Sequence, residues 1–389
     1  MKKNQNATLI TVAAAVAVAA VVAGAAVASR QGPSDTPLSG SAVPLPGSPS
    51  LSPTPSTTPS ATPTPTPTKP VTAKKVRLDL DKLPQGRAPQ LTYVRGRKVL
   101  GGAGEELTVP GKGQIVEVAR LGNDVLVMLY NDIGKTEMAR FAYGQESGPR
   151  VPDVSSLVVD ASGGSGAYVI SKYDKDGGEL QGGSITFENS ELGSGVEVHK
   201  LPRPNDFELR VLAVIDGVVY FQSKPDLQTP TWSLYTWKPS ETRATRVKTV
   251  TRPTALSDNG QLAASIESHA DMSTCSAVAA VATGRRNLRT CDYSISGFTP
   301  DGSVAYGGSA YQDGYADGIS IALNTQTGNL ITEWNGLSFR DSIAEDDQHL
   351  LMIVDDGPET NAAIIRCTIV GGACERATDL SKADLVFGS

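Results

Sequence analysis

From residue 76 to the C-terminus, apolar residues come in short runs divided by Gly, Asp, Asn and Pro. Within many runs they alternate with polar residues. A period of two marks a strand with one buried face, and the dividing residues are those that turn a chain. Leu91-Thr92-Tyr93-Val94 and Lys98-Val99-Leu100 flank Arg95-Gly96-Arg97 and predict a hairpin. Leu121-Gly122-Asn123-Asp124 leads into a run ending at Tyr130, and Asp216-Gly217 joins two strand-like runs. No stretch of this body carries the pattern of a helix of ordinary length.

The pattern is most regular between residues 254 and 350. Leu256-Ser257-Asp258-Asn259-Gly260, Phe298-Thr299-Pro300-Asp301-Gly302 and Ala344-Glu345-Asp346-Asp347 each stand before an apolar strand. Asn259 and Asp301 are 42 residues apart, and Asp301 and Asp347 are 46 apart. A fixed period of this length, written in strands and turns, predicts an all-β fold of the β-propeller type. Less clear copies fall near Gly96, Asn123, Gly164 and Asp216. The count is six or seven blades, with seven preferred. The step from Gly96 to Asn123 is only 27 residues, so the first unit is truncated or shares strands with the C-terminus. A pair of β-sandwiches is the rival, but it does not predict this period.

The Ser/Thr-Asp-Gly turns at Ser257 to Gly260 and Thr299 to Gly302 resemble the blade starts of TolB-like and WD40-like bacterial propellers. The Thr283-Gly284 and Thr327-Gly328 hairpins resemble their turns between third and fourth strands. With the N-terminal layout described next, the chain is similar to membrane-anchored surface propellers of high-GC Gram-positive bacteria. The resemblance implies fold and location. It carries no catalytic residue across, because these families share no single activity.

Residues 1–30 begin with Lys2 and Lys3 and continue, from Leu9 to Ala28, with about 20 nearly all apolar, uncharged residues, enough to span the hydrocarbon of a bilayer as a helix. The lysines put the N-terminus in the cytoplasm and the rest outside. A cleaved signal peptide ending at Ala26-Val27-Ala28 is the alternative, giving a secreted protein. Residues 31–75 follow as a linker. Twelve of the chain's 25 prolines lie between Gln31 and Pro70, where missing donors and a fixed φ disfavour helix and sheet. Extended as polyproline II, such a stalk reaches on the order of 120 Å. Residues 76–389 are the expected propeller.

The formal net charge is −6, and the three charges of residues 1–30 are all positive, so the remainder is more acidic still. That argues against a nucleic-acid partner, which needs a basic face. The four cysteines fit an exported chain with paired thiols. Cys275 and Cys291 lie symmetrically about the turn at Thr283, and Cys367 and Cys374 about Val370-Gly371. Opposed residues of an antiparallel hairpin lie within disulfide range, so the register predicts Cys275–Cys291 and Cys367–Cys374.

Candidate chemistry is sparse. His199, His269 and His349 are scattered and fit no metal spacing, and no Gly-x-Ser-x-Gly elbow is present. Asp174-Lys175-Asp176-Gly177-Gly178-Glu179 offers hard oxygens but lacks the calcium-loop order and reads as a solvated turn. Trp232 and Trp237 read as strand packing. The loop from Tyr311 to Gly318, with Tyr311, Asp313, Tyr315 and Asp317, combines aromatic and acidic groups suited to ligand contact. No catalytic, cofactor or metal residue is assigned. The expectation is an extracytoplasmic propeller that binds or scaffolds a protein or cell-wall glycan. The alternative is an exported carbohydrate-active hydrolase or lyase using channel carboxylates.

Overall fold

A computed structural model of the chain describes residues 73–130, 135–190, 196–270, 273–311 and 315–389. The expected anchor or signal segment and nearly all of the linker lie outside these residues. Among the described residues the only helix is the 3-10 turn Leu80–Lys82, and no helix is long and apolar enough to cross a membrane. The first strand, Lys74–Arg77, starts two residues before the expected boundary at Val76. It does so because it pairs in parallel with the segment from Thr332 to Asn335.

The remaining strands form six hydrogen-bonded antiparallel sheets among the described residues. Array II runs outward as Ile115–Leu121, Asp124–Tyr130, Thr136–Ala142 and Gln145–Glu146, with Val151–Pro152 added to the third strand. Array III is Val154–Val159, Ser165–Tyr173, Glu179–Asn189 and Glu197–Arg203. Array IV is Phe207–Ile215, Val218–Lys224, Ser233–Trp237 and Thr245–Thr251. Array V is Pro253–Leu256, Leu262–Ala270, Ser273–Ala280 and Arg286–Thr290.

The largest sheet is two arrays joined by one 15-residue strand, Leu330–Ala344. Its first half is the outer strand of array VI, after Tyr293–Phe298, Val304–Ser309 and Asp317–Asn324. Its second half is the first strand of array VII, before His349–Asp355, Ala362–Thr368 and Cys374–Arg376. Array I takes its first strand, Leu385–Phe387, from the far end of the chain and sets it beside Tyr93–Arg95, Lys98–Leu100 and Leu107–Thr108. The short first unit is therefore completed by the C-terminus. Gly96 turns the second strand into the third, so it is not an equivalent of Asn123, which turns a first strand into a second.

Two-sided burial of the second strands holds the arrays together. In Asp124–Tyr130, Val125, Val127 and Leu129 pack toward array I, while Leu126 and Met128 pack toward array III. In His349–Asp355, Leu350, Met352 and Val354 face array VI, and Leu351 and Ile353 face array I. Successive residues of a strand point to opposite faces, so a continuous apolar run serves two neighbours. Seven buried clusters result among the described residues, each between two consecutive arrays. The cluster of Tyr93, Leu351, Ile353, Ile364 and Phe387 joins array VII back to array I. The described fold is thus all-β and propeller-like.

The repeated phrase is a self-capping turn. Thr299 Oγ1 accepts from the Val304 amide (3.1 Å) and donates to Asp301 Oδ1 (2.8 Å), which also accepts from the Ser303 amide (2.9 Å). Ser257 and Asn259 repeat the arrangement with the Leu262 and Gln261 amides. Gly260 and Gly302 sit at φ +67° and +72°, which a side chain would strain.

Candidate functional site

The first strands of arrays II to VII share a deviation. Each slips register against its second strand at the same place: Ile115/Glu117, Val154/Ser156, Val211/Ala213, Pro253/Ala255, Ile295/Gly297 and Phe339/Asp341. The residue before each slip is buried and apolar or proline. A bulge leaves one residue unpaired and re-aims its neighbours. Thr254 and Ser296 are bulged residues, and both line the space that these six strands enclose with the end of array I.

That space is a cavity of about 840 Å³. Gly122, Asp160, Asp258, Pro300 and Glu345, from the first turns of five arrays, mark its mouth. A second cavity of about 560 Å³ adjoins it and reaches Thr274 and Ala310, near the loops that join second and third strands. Arg210, Thr254 and Ser296 line both cavities and form a waist between them.

The channel is charged. Burial pushes the Glu117 carboxyl up to about 7, against the pull of the Arg210 guanidinium and the Leu157 amide. Burial also raises Asp341, against the Ser342 amide. Asp258 is raised by burial and by the negative charge of Asp347. Tyr306, buried in the wall, is raised by burial and then by Asp341. Three arginines lie on innermost strands. Arg120 donates to the carbonyls of Gly101 (3.1 Å) and Glu105 (2.9 Å). Arg340 meets the buried Asp355 at 3.1 Å. The Arg210 guanidinium has no hydrogen bond or ion pair among the described residues, and its electrostatic neighbour is Glu117.

The cysteines pair as Cys275–Cys291 and Cys367–Cys374, each with Cα atoms 4.1 Å apart. In array V the bond links the third strand to the residue just after the fourth, and in array VII it joins third and fourth strands. The candidate ligand loop is not gathered into one group. Tyr315 donates to Asp355 Oδ2 at 2.8 Å and so leans on array VII. Tyr311 is exposed. Asp317 opens the third strand of array VI opposite Phe339. Asp313 lies outside the described residues.

His199 meets Glu197 at 2.7 Å and His349 meets Asp346 at 2.9 Å, both at the surface. The side chain of His269 lies outside those described. Asp174 caps its own turn through the amides of Asp176 and Gly178, each at 2.8 Å. Trp237 is core, and Trp232 donates to Glu208 Oε2 at 2.6 Å.

Glu117 and Arg210 were not singled out by sequence. Their signal is a lone charge inside an apolar strand, as in Ile115-Val116-Glu117-Val118-Ala119 and Leu209-Arg210-Val211-Leu212.

No family model matches the chain, and no curated protein does. Solved structures similar to it include the β-propeller domain of Cps50 (Swd1) from Myceliophteria thermophila, at 10% identity and a TM-score of 0.43, over 71% of this chain and 89% of that one. TolB from Acinetobacter baumannii is similar at 11% identity and a TM-score of 0.38, over 68% of this chain and 66% of that one. Oligopeptidase B from Leishmania major is similar at 10% identity and 0.45, over 77% of this chain, which spans half (50%) of that one. At such scores the propeller-like description rests on the chain's own sheets and clusters.

Proposed function

We propose that the chain is a seven-bladed β-propeller held outside a membrane by residues 9–28 on a Pro-rich stalk, and that it binds a protein or cell-wall ligand through the first-turn mouth of its channel. One observation carries the binding role. A single cavity of about 840 Å³ draws its wall from every array and holds charged groups from different strands. Convergence of several elements on one polar cavity is the usual anatomy of a ligand site. The N-terminal apolar run and the stalk support the location. The full-length chain, displayed on cells and crosslinked to its surroundings, tests the reading. Recovery of a defined protein or wall polymer, lost when Asp258 and Asp160 at the mouth become Asn, supports it. Crosslinks that do not change with those substitutions sink it.

A second reading has its own observation. Burial holds Glu117 partly protonated near neutrality, as a general acid for glycoside cleavage would be. Turnover of a glycan panel that is abolished by Glu117→Gln would favour a hydrolase or lyase over a binding module.

A further inference from the structure

We infer that Arg210, with the hydroxyls of Ser276, Ser294 and Ser296, forms an oxyanion-binding site at the waist of the channel, taking the carboxylate or phosphate head of a small ligand. The inference rests on the reading of the channel as a ligand site and names the chemistry of the waist between its two cavities.

Four observations converge. Arg210 lines both cavities, so any molecule passing the waist meets its guanidinium. The other two arginines on innermost strands have partners, Arg120 in carbonyls and Arg340 in Asp355, whereas among the described residues the five donors of Arg210 make no hydrogen bond or ion pair. Five of the side chains lining the second cavity carry hydroxyls, Thr254, Thr274, Ser276, Ser294 and Ser296, and among the described residues the buried Ser294 Oγ has no hydrogen-bond partner. Ser276 Oγ accepts from the Ile295 amide at 3.3 Å, which leaves its own hydrogen to donate into the cavity.

An oxyanion is the ligand this donor set matches. A planar guanidinium grips two oxygens of a carboxylate or phosphate at once, and the serine hydroxyls donate to the rest. A cation would meet Arg210 with like charge. The cavity of about 560 Å³ exceeds a lone inorganic ion, so the site suits the acidic head of a small organic molecule.

The test uses the purified full-length chain, calorimetric titration and thermal melting, at constant ionic strength against chloride. The probes are sulfate, phosphate and succinate. Expected is saturable binding of at least one probe at low millimolar concentration or tighter. Saturation matters, because sulfate stabilises most proteins non-specifically at high concentration. Whether succinate or the inorganic anions bind better separates a carboxylate ligand from a phosphate one. Arg210→Met should weaken binding roughly tenfold to a hundredfold, as expected for lost charge-assisted hydrogen bonds. The Ser294→Ala/Ser296→Ala pair should weaken it less while leaving the melting temperature near wild type, and it serves should the arginine variant fail to fold. Wild-type chain that binds no probe, or variants that bind as wild type does, overturn the inference. Crosslinking of a surface partner without anion binding would leave the broader reading standing and this one refuted. Anion binding without a partner would do the reverse.

Discussion

Tyr306 is the register partner of Gly297, and its hydroxyl stands where a Gly297 side chain would be. A second-strand side chain thereby reaches over the innermost strand into the channel wall. Gly297 does not have a left-handed backbone, so the need for glycine is steric. Gly297→Ala should displace the Tyr306 ring and cost about 1–3 kcal/mol, as overpacking does. Urea unfolding of a double-mutant cycle with Tyr306→Ala checks the cause. In the Tyr306→Ala background, Gly297→Ala should cost little. An undiminished cost would locate the strain elsewhere.

Arg366 and Glu345 form the most buried ion pair among the described residues, with side chains 4% and 0% exposed. Arg366 also donates to Glu375 (2.8 Å) and to the carbonyls of Arg87 and Ala88, so it ties the N-terminal stretch to array VII. Arg366→Met leaves the buried Glu345, among the described residues, with only the longer ion pair to Arg87 (3.5 Å) and should cost about 3–5 kcal/mol at pH 7. Burial pushes Glu345 up, but hydrogen bonds from Arg366 and the Gln90 amide outweigh it and hold the carboxyl below 4.5. Its contribution is therefore present above pH 4.5 and is lost as pH falls through the lowered folded value. The stability gap between wild type and variant should narrow from pH 6 to pH 3 in thermal melts. A gap constant with pH would mean the loss is one of packing.

Local chemistry was legible in the sequence, and long-range geometry was not. The turns at Ser257 and Thr299 are set by side chains within five residues of each other, so their phrase could be read directly. The disulfides followed from hairpin register, which is also local. The first strand of array I was legible only as one of two alternatives, a truncated unit or one sharing strands with the C-terminus, because Leu385–Phe387 reaches Tyr93–Arg95 from the other end of the chain. Gly96 resembled the first turns because Arg95-Gly96-Arg97 turns a hairpin as they do. Glu117 was hidden by the slip at Ile115/Glu117, and Arg210 by a second slip in its own strand, Phe207/Arg210. A one-residue slip reverses which face each later residue takes, and nothing in Ile115-Val116-Glu117 announces it. Tyr315 read as a free loop residue because its partner, Asp355, belongs to the next array.

The two disulfides should differ in reactivity. Cys275–Cys291 closes 16 residues and Cys291 is exposed, whereas Cys367–Cys374 closes 7 and Cys367 is fully buried in the cluster between arrays VI and VII. Thiol–disulfide exchange needs direct access to sulfur. Limiting hydrophilic reductant followed by alkylation and peptide mass analysis should label Cys275 and Cys291 first. Removing either bond should cost about 2–3 kcal/mol by the chain-entropy estimate. Equal labelling of all four cysteines in the folded protein would contradict the burial difference.

Glu117 should make both stability and anion binding depend on pH. An acid raised from 4.5 to about 7 by burial costs nothing below pH 4.5, where both states are protonated. Its penalty grows between those values and is complete above pH 7. Glu117→Gln should therefore match wild type near pH 4.5 and be more stable at pH 8, by up to about 3 kcal/mol before the screening of an open channel is counted. Binding follows from the same charge. Ionised Glu117 offsets the positive field of Arg210, and the protonated form releases it. Sulfate does not titrate in this range and should bind more tightly at pH 6 than at pH 8. Other charged groups lie near: burial raises Asp341 and Asp258 as well, and Arg120 and Arg340 stand on other innermost strands. Glu117→Gln should then bind sulfate almost equally at pH 6 and pH 8. If the variant keeps the wild-type slope, a group other than Glu117 sets the pH response.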